Sequence, residues 1–227
     1  MIHPIGLLAP KEIIPTDGLI AYYPFNGNAN DESGNGNNGT VTDAILTTDR
    51  KGSANRAYLF NESSYINVNY NAVLYNSVFS YSVWVYINSN PLSGNAMYIV
   101  DSWNTVNPRI DAVITFNNGS STKFELLYNY GAGTSVFRSS ISPVIGDWYH
   151  LVMIHGAAND KIYINGSLDA SASYRSGSFV AGIASLTPDL RFGLRLDDGY
   201  GFNGKIDNII KYNRELTASE VTALYNE

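Results

Sequence analysis

Phe79-Ser-Tyr-Ser-Val-Trp-Val-Tyr-Ile87 decides the fold class. Large apolar residues recur at every second position: Phe79, Tyr81, Val83, Val85 and Ile87 share one face. Strict alternation is the mark of a β-strand whose two faces meet different surroundings. The other face holds Ser80, Ser82, Trp84 and Tyr86. Two aromatic rings there make a plain solvated surface a poor description. That face either packs against a further layer or lines a groove.

The same pattern extends in both directions. Trp148 to His155 reads as a strand with Trp148, His150, Val152 and Ile154 on one side. Lys161–Ile164, Asn165-Gly166 and Ser167–Ala170 read as a hairpin, because Asn-Gly supplies the positive-φ pair of a type I′ turn. Further strands are expected at 19–25, 57–60, 65–68, 97–100, 110–116, 124–130, 136–139, 190–194 and 205–212, with turn clusters between them. Many short strands punctuated in this way indicate an all-β sandwich or jelly roll. One helix is expected, at the end. Thr217-Ala-Ser-Glu220 is a capping box, and Val221, Leu224 and Tyr225 form an apolar stripe behind it. Residues 1–17 read as a linker or N-terminal extension left after upstream sequence was removed. Pro4, Pro10 and Pro15 interrupt its apolar residues, and the pattern of a signal peptide is missing. Residues 18–227 form one domain.

Composition narrows the function. The 227 residues contain no Cys, which removes disulfides, thiolate metal sites and Cys nucleophiles together. Charged residues are only 15 % and the net charge is −6, so the basic face that nucleic acid requires is absent. No apolar run reaches the roughly 18–20 residues needed to cross a bilayer as a helix. Polarity comes from Asn, Ser, Thr, Gly and Tyr. The Gly27–Gly39 segment is the extreme case, with five Asn, one Asp, one Glu and one Ser. It offers many oxygen donors of the kind a calcium ion takes, about 6–8 at once. Read from residues alone, it is either an ion-binding loop or a polar surface turn.

The two ends of the chain then read together. Gly18-Leu-Ile-Ala-Tyr-Tyr-Pro-Phe-Asn-Gly-Asn-Ala-Asn-Asp-Glu-Ser-Gly opens the domain, and Phe202-Asn-Gly-Lys-Ile-Asp-Asn-Ile-Ile-Lys-Tyr closes it. Ser82-Val-Trp-Val, Gly146-Asp-Trp-Tyr-His-Leu-Val and Lys161-Ile-Tyr-Ile-Asn-Gly lie between them in order. This series resembles the laminin-G-like branch of the concanavalin A-like lectin and glucanase superfamily, over residues 18–227. The resemblance implies a jelly-roll sandwich of two curved antiparallel sheets. It also implies a structural calcium ion joining the early loop to the late strand, with Asp31 and Asp207 as side-chain ligands and Asn28 and Asn38 beside them. Without an ion, Asp207 on a half-buried strand needs another partner, either loop amides or Lys205 or Arg214.

That superfamily holds both lectins and glycanases, so the site must decide. The Glu-x-Asp-x-x-Glu pattern of its glucanases is absent. Retaining glycosidases need two carboxylates about 5–5.5 Å apart. Glu125 is the one Glu in a mid-chain strand, and no acid follows within four residues. His150 reads as a buried structural residue, and His155 has no evident Ser or carboxylate companion. The expectation is therefore a non-catalytic module. Aromatic rings beside hydrogen-bonding groups suit sugar recognition. Trp103, Asn104 and Arg109 form one such cluster, to which Tyr128 and Tyr130 can add; Arg195, Asp197 and Tyr200 form a second. The expected task is carbohydrate binding, in an exported bacterial surface protein or a polysaccharide-degrading enzyme. The expected partner is a polysaccharide or cell-surface glycan, with another domain of a larger protein beside it. The alternatives are a structural or protein-binding adhesin module and, third, a glycanase or polysaccharide lyase.

Overall fold

A computed structural model describes residues 14–91, 95–102, 113–118, 122–129, 133–170, 172–180 and 188–227. The strands run, in chain order, β1 Leu19–Tyr23, β2 Gly39–Thr42, β3 Ile45–Thr47, β4 Ala57–Asn61, β5 Tyr65–Val68, β6 Phe79–Ile87, β7 Ala96–Asp101 and β8 Val113–Asn118. They continue as β9 Thr122–Asn129, β10 Thr134–Arg138, β11 Trp148–His155, β12 Asp160–Ile164, β13 Ser167–Leu168, β14 Ser173–Ser176, β15 Leu190–Phe192 and β16 Asn203–Tyr212. Helix α1 spans Ala218–Tyr225. The strands form two antiparallel sheets. The first has the order β13-β12-β11-β6-β16-β4-β3, with β1 also paired to β16. The second has the order β14-β10-β9-β8-β7-β15-β5-β2.

The alternation in β6 sorts as expected. Phe79, Tyr81, Val83, Val85 and Ile87 enter the core between the sheets, where they meet Ile99, Phe124, Leu126 and Phe192. On the other side, β11 lies antiparallel to β6 with His150 opposite Trp84. Trp84 is covered there by Tyr225 at 5.6 Å between ring centroids and by His150 at 5.0 Å. This outer face of the first sheet thus packs against a layer. Val152, Ile154 and Tyr163 join Val221 and Leu224 of α1 in a second apolar cluster. Burying these rings and branched side chains supplies the main drive to dock the helix.

The capping box forms as the sequence predicts. Thr217 accepts from the Glu220 backbone N–H, and the Glu220 carboxylate accepts from the Thr217 N–H at 2.8 Å. Arg214 adds an ion pair to Glu220 at 2.6 Å, and its hydrogen bonds hold that carboxyl down at about 2. The Asn165-Gly166 turn has φ of 51° and 77°, the left-handed pair that the hairpin needs. Three short strands, β2, β3 and β14, were not among those expected.

Candidate functional site

Strands β7 and β15 pair with Arg191 opposite Asp101. The chain then leaves β15 and returns as β16 through a loop closed at its base. Gly193 donates to the Ile99 carbonyl at 3.1 Å, and Phe202 donates to the Gly193 carbonyl at 2.7 Å. Leu194 and Phe202 are buried and anchor the two ends of the loop. Gly201 is required where the loop passes the 62–64 turn: a Cβ there would sit 1.7 Å from the Glu62 carbonyl oxygen. Between the anchors, Arg195, Asp197, Asp198 and Tyr200 stand on the surface side.

These residues fix one another. Arg195 makes a forked pair with Asp197, Nε to Oδ1 at 2.6 Å and Nη2 to Oδ2 at 2.5 Å. The forked hydrogen bond holds the Asp197 carboxyl below its usual range. The same guanidinium lies 4.3 Å from the Tyr200 ring centroid and 5.6 Å from that of Tyr98. Cation–π contact of this kind restrains both partners. Asp198 reaches Arg191 at 2.7 Å, and Arg191 covers the Tyr65 ring at 4.1 Å. Asp198 and Tyr200 both adopt left-handed backbone, φ 62° and 63°. That conformation is uncommon outside Gly, Asn and Asp, so at Tyr200 the surrounding loop imposes it. The outcome is a tyrosine 42 % exposed, beside a cleft of about 760 Å³. Across the cleft stand Glu62, Asn90, Asn95 and Asn203, with Met97 in the wall. Asn203 donates to Glu62 at 3.0 Å. A ring face, a carboxylate and several amides therefore border one opening.

The structure brings the predicted trio Arg195, Asp197 and Tyr200 together. Tyr128, expected to add to the Trp103 cluster, is instead fully buried. Its alternation partners Phe124 and Leu126 face the core, and Tyr128 does the same. Its hydroxyl donates to Asp160 at 3.0 Å, and His155 Nδ1 lies 2.7 Å from the other oxygen of that carboxylate. His155 thus has the carboxylate companion that the sequence did not reveal. Trp103, Asn104, Arg109 and Tyr130 lie outside the described residues.

The four residues expected around calcium have other partners. Asp31 accepts three backbone N–H bonds, from Tyr22, Ser33 and Asn37, each at 2.9 Å. Asn38 Oδ1 accepts from the Asp31 N–H at 3.0 Å, and Asn28 Oδ1 from the Asn30 N–H at 2.8 Å. Asp207 pairs with Arg50 at 2.6 Å. The Arg50 guanidinium also covers the Trp84 ring at 4.5 Å and donates to the Glu227 carbonyl at 2.8 Å. The partner of Asp207 is thus neither Lys205 nor Arg214. Among the described residues no three His, Asp or Glu side chains gather in a way that could hold a metal. A calcium ion held jointly by Asp31 and Asp207 would compete with the three N–H bonds to Asp31 and with the Arg50 pair at Asp207. Burial still raises the Asp207 carboxyl to about 6, with Arg50 pulling the other way. Burial, aided by the nearby Arg50 charge, lowers His150 to about 3, so its contact with Ser82 at 2.8 Å is that of a neutral ring.

Residues 60–222 match the family model described as the concanavalin A-like lectin/glucanases superfamily, in its laminin G form. The chain belongs to that superfamily. No curated protein matches this concanavalin A-like chain significantly. Among solved structures, it resembles domain 4 of a GH43 extracellular arabinanase from Geobacillus stearothermophilus, in complex with arabinotriose. Identity is 20 %, the TM-score is 0.62, and 91 % of this chain and 98 % of that one are covered. It also resembles the binding domain of Paraclostridial Mosquitocidal Protein 1, at 19 % identity and a TM-score of 0.70. That match covers 93 % of this chain but 52 % of the other. Trypanosoma rangeli sialidase is similar at 17 % identity and a TM-score of 0.66, with 93 % of this chain and 33 % of the enzyme covered. At such identities the shared property is the fold. No helix among the described residues is long and apolar enough to cross a membrane.

Proposed function

We propose that this concanavalin A-like domain is a non-catalytic carbohydrate-binding module of an exported protein. One observation carries the reading: the exposed Tyr200 ring, held by left-handed backbone and an Arg195 contact, borders a cleft rich in amides. Sugar rings present apolar C–H faces to such a platform and hydroxyls to the groups around it. The cleft contains one carboxylate among its described lining residues, Glu62. A retaining glycosidase needs a second about 5–5.5 Å away. The likeness to an arabinanase domain seen with arabinotriose supports a sugar ligand and makes arabino-oligosaccharides the first probes. A glycan array with matched Tyr200→Ala protein tests the proposal. Wild type should bind at least one glycan family, and the variant should bind it about tenfold or more weakly, a loss of about 1.4 kcal/mol. An array without signal above background removes the reading.

A second observation favours a protein-binding or structural module for a different surface. On the outer side of the second sheet, Glu125 is fully buried and paired to Arg138 at 2.8 Å. Asp101 is also fully buried and accepts from the Leu196 N–H at 2.8 Å. Both carboxylates are thus covered and paired within the protein. An empty glycan array combined with saturable binding to a host-surface protein would make this the better account.

A further inference from the structure

We propose a second saccharide site, separate from the Tyr200 cleft and selective for a neutral sugar ring. It lies at the far end of β5, where the chain leaves Val68 and meets the Asn-rich loop before β2. The cleft is about 600 Å³ and is bordered by Asn38, Thr40, Asn69, Tyr70 and Asn71.

Its platform is Tyr70, 40 % exposed. One face of that ring stacks on Tyr75, with centroids 5.7 Å apart and planes 23° from parallel. Tyr75 is fixed in turn by a hydrogen bond to the Pro188 carbonyl at 2.5 Å. The Tyr70 backbone N–H is held by Asp189 at 2.8 Å. The ring is therefore placed before any ligand arrives, which lowers the ordering cost of binding.

The floor is equally fixed. Asn37 has all four polar groups engaged: its N–H to Asp31 at 2.9 Å, its amide nitrogen to the Ile20 carbonyl at 3.0 Å, its carbonyl to the Tyr23 hydroxyl at 2.7 Å, and its amide oxygen to Asn71 at 2.7 Å. The rim differs. Asn38 and Asn69 each engage the amide oxygen, with Asp31 N–H at 3.0 Å and Asn67 at 3.4 Å respectively. Their amide nitrogens and the Thr40 hydroxyl have no protein partner among the described residues. Donors and a hydroxyl thus face a cleft beside an aromatic ring.

The absence of charge selects the ligand. The lining contains no Lys, Arg, Asp or Glu. An anionic sugar would find no counter-charge, and a cation would find no carboxylate in the lining, since Asp31 is bonded to the Asn37 N–H and Asp189 to the Tyr70 N–H and Asn67. A neutral polyhydroxyl ring matches what remains: amide N–H donors for its oxygens and an aromatic face for its C–H groups. With the Tyr200 cleft at the other end of β5, one module would touch a polymer at two points and gain avidity without new contacts.

Side-chain amide spectra of the 15N-labelled chain test this directly. The probes are neutral arabino-, xylo-, gluco- and galacto-trisaccharides, with a sialylated and a uronate trisaccharide and an Asn-rich peptide as contrasts. A neutral trisaccharide should shift the Asn38 and Asn69 amide signals saturably. The shifts should persist in Tyr200→Ala and weaken about tenfold or more in Tyr70→Ala. Thr40→Val serves as a milder variant if Tyr70→Ala misfolds. Shifts confined to the Tyr200 loop would overturn this site while sustaining the first. Shifts at Asn38 and Asn69 alone would sustain this site and count against the first. No saturable shift from any neutral sugar, or a response only to the charged probes or the peptide, overturns the proposal.

Discussion

The loop 27–39 and the loop 193–202 are both polar and glycine-containing, yet their side chains are used in opposite ways. In the first, Asp31 and Asn37 turn inward and fasten the loop to β1 through buried hydrogen bonds. In the second, Arg195, Asp197 and Tyr200 pair sideways across the surface. The inward group is structural, because a buried acceptor that lost its role would leave N–H groups unpaired. The sideways group holds a ring out toward solvent and contributes little to the core. Polarity in a loop therefore says less than the direction in which its bonds run.

The sharpest way to break this contrast is Asp31→Ala. Three backbone N–H groups would lose their acceptor, at an expected cost of about 4 kcal/mol in chemical denaturation. A loss below about 1 kcal/mol would show that the loop is not fastened in this way. Arg50→Met comes next. It strands Asp207, whose side chain is 3 % exposed, and should cost about 3 kcal/mol at neutral pH. That cost carries a pH signature. The folded Asp207 value, about 6, lies above its ordinary 3.8, so the folded state takes up a proton as pH falls between them. The contribution of this group to stability therefore grows on acidification through that window. Without Arg50 the folded value rises further, so the deficit of Arg50→Met should shrink as pH falls toward about 6 and level off below it, and a pH-independent deficit would refute the assignment. The smallest expected effect belongs to chelation. With Asp31 held by backbone amides and Asp207 by Arg50, a strong chelator should move the melting midpoint by less than about 1 °C. A fall of several degrees would restore a tightly held calcium ion to the account.

What the sequence revealed follows from range. Strands β6 and β11 were legible to the residue because long alternation fixes both ends. Strands β2, β3 and β14 are four residues or fewer and carry no alternating apolar side chains, whereas the equally short β5 shows itself through Ile66 and Val68 on one buried face. Arg195, Asp197 and Tyr200 could be grouped because they lie within six positions on one loop. Arg50 and Asp207 are separated by 157 positions, and nothing local in either segment points to the other. Tyr128 shows a different limit. Spacing put it on one face with Tyr130 but could not say which face of the sheet meets the core. His155 and Asp160 were hidden for a related reason, since only the β11–β12 register sets them opposite each other.

The pairing of β1 with β16 has a mechanical consequence. Leu19 lies opposite Tyr212, so the chain enters and leaves this antiparallel ladder at the same end. Tension applied through segments before Leu19 and after Tyr212 would open the ladder like a zip, rung after rung, instead of shearing all rungs together. A domain tethered in this way would yield gradually under flow.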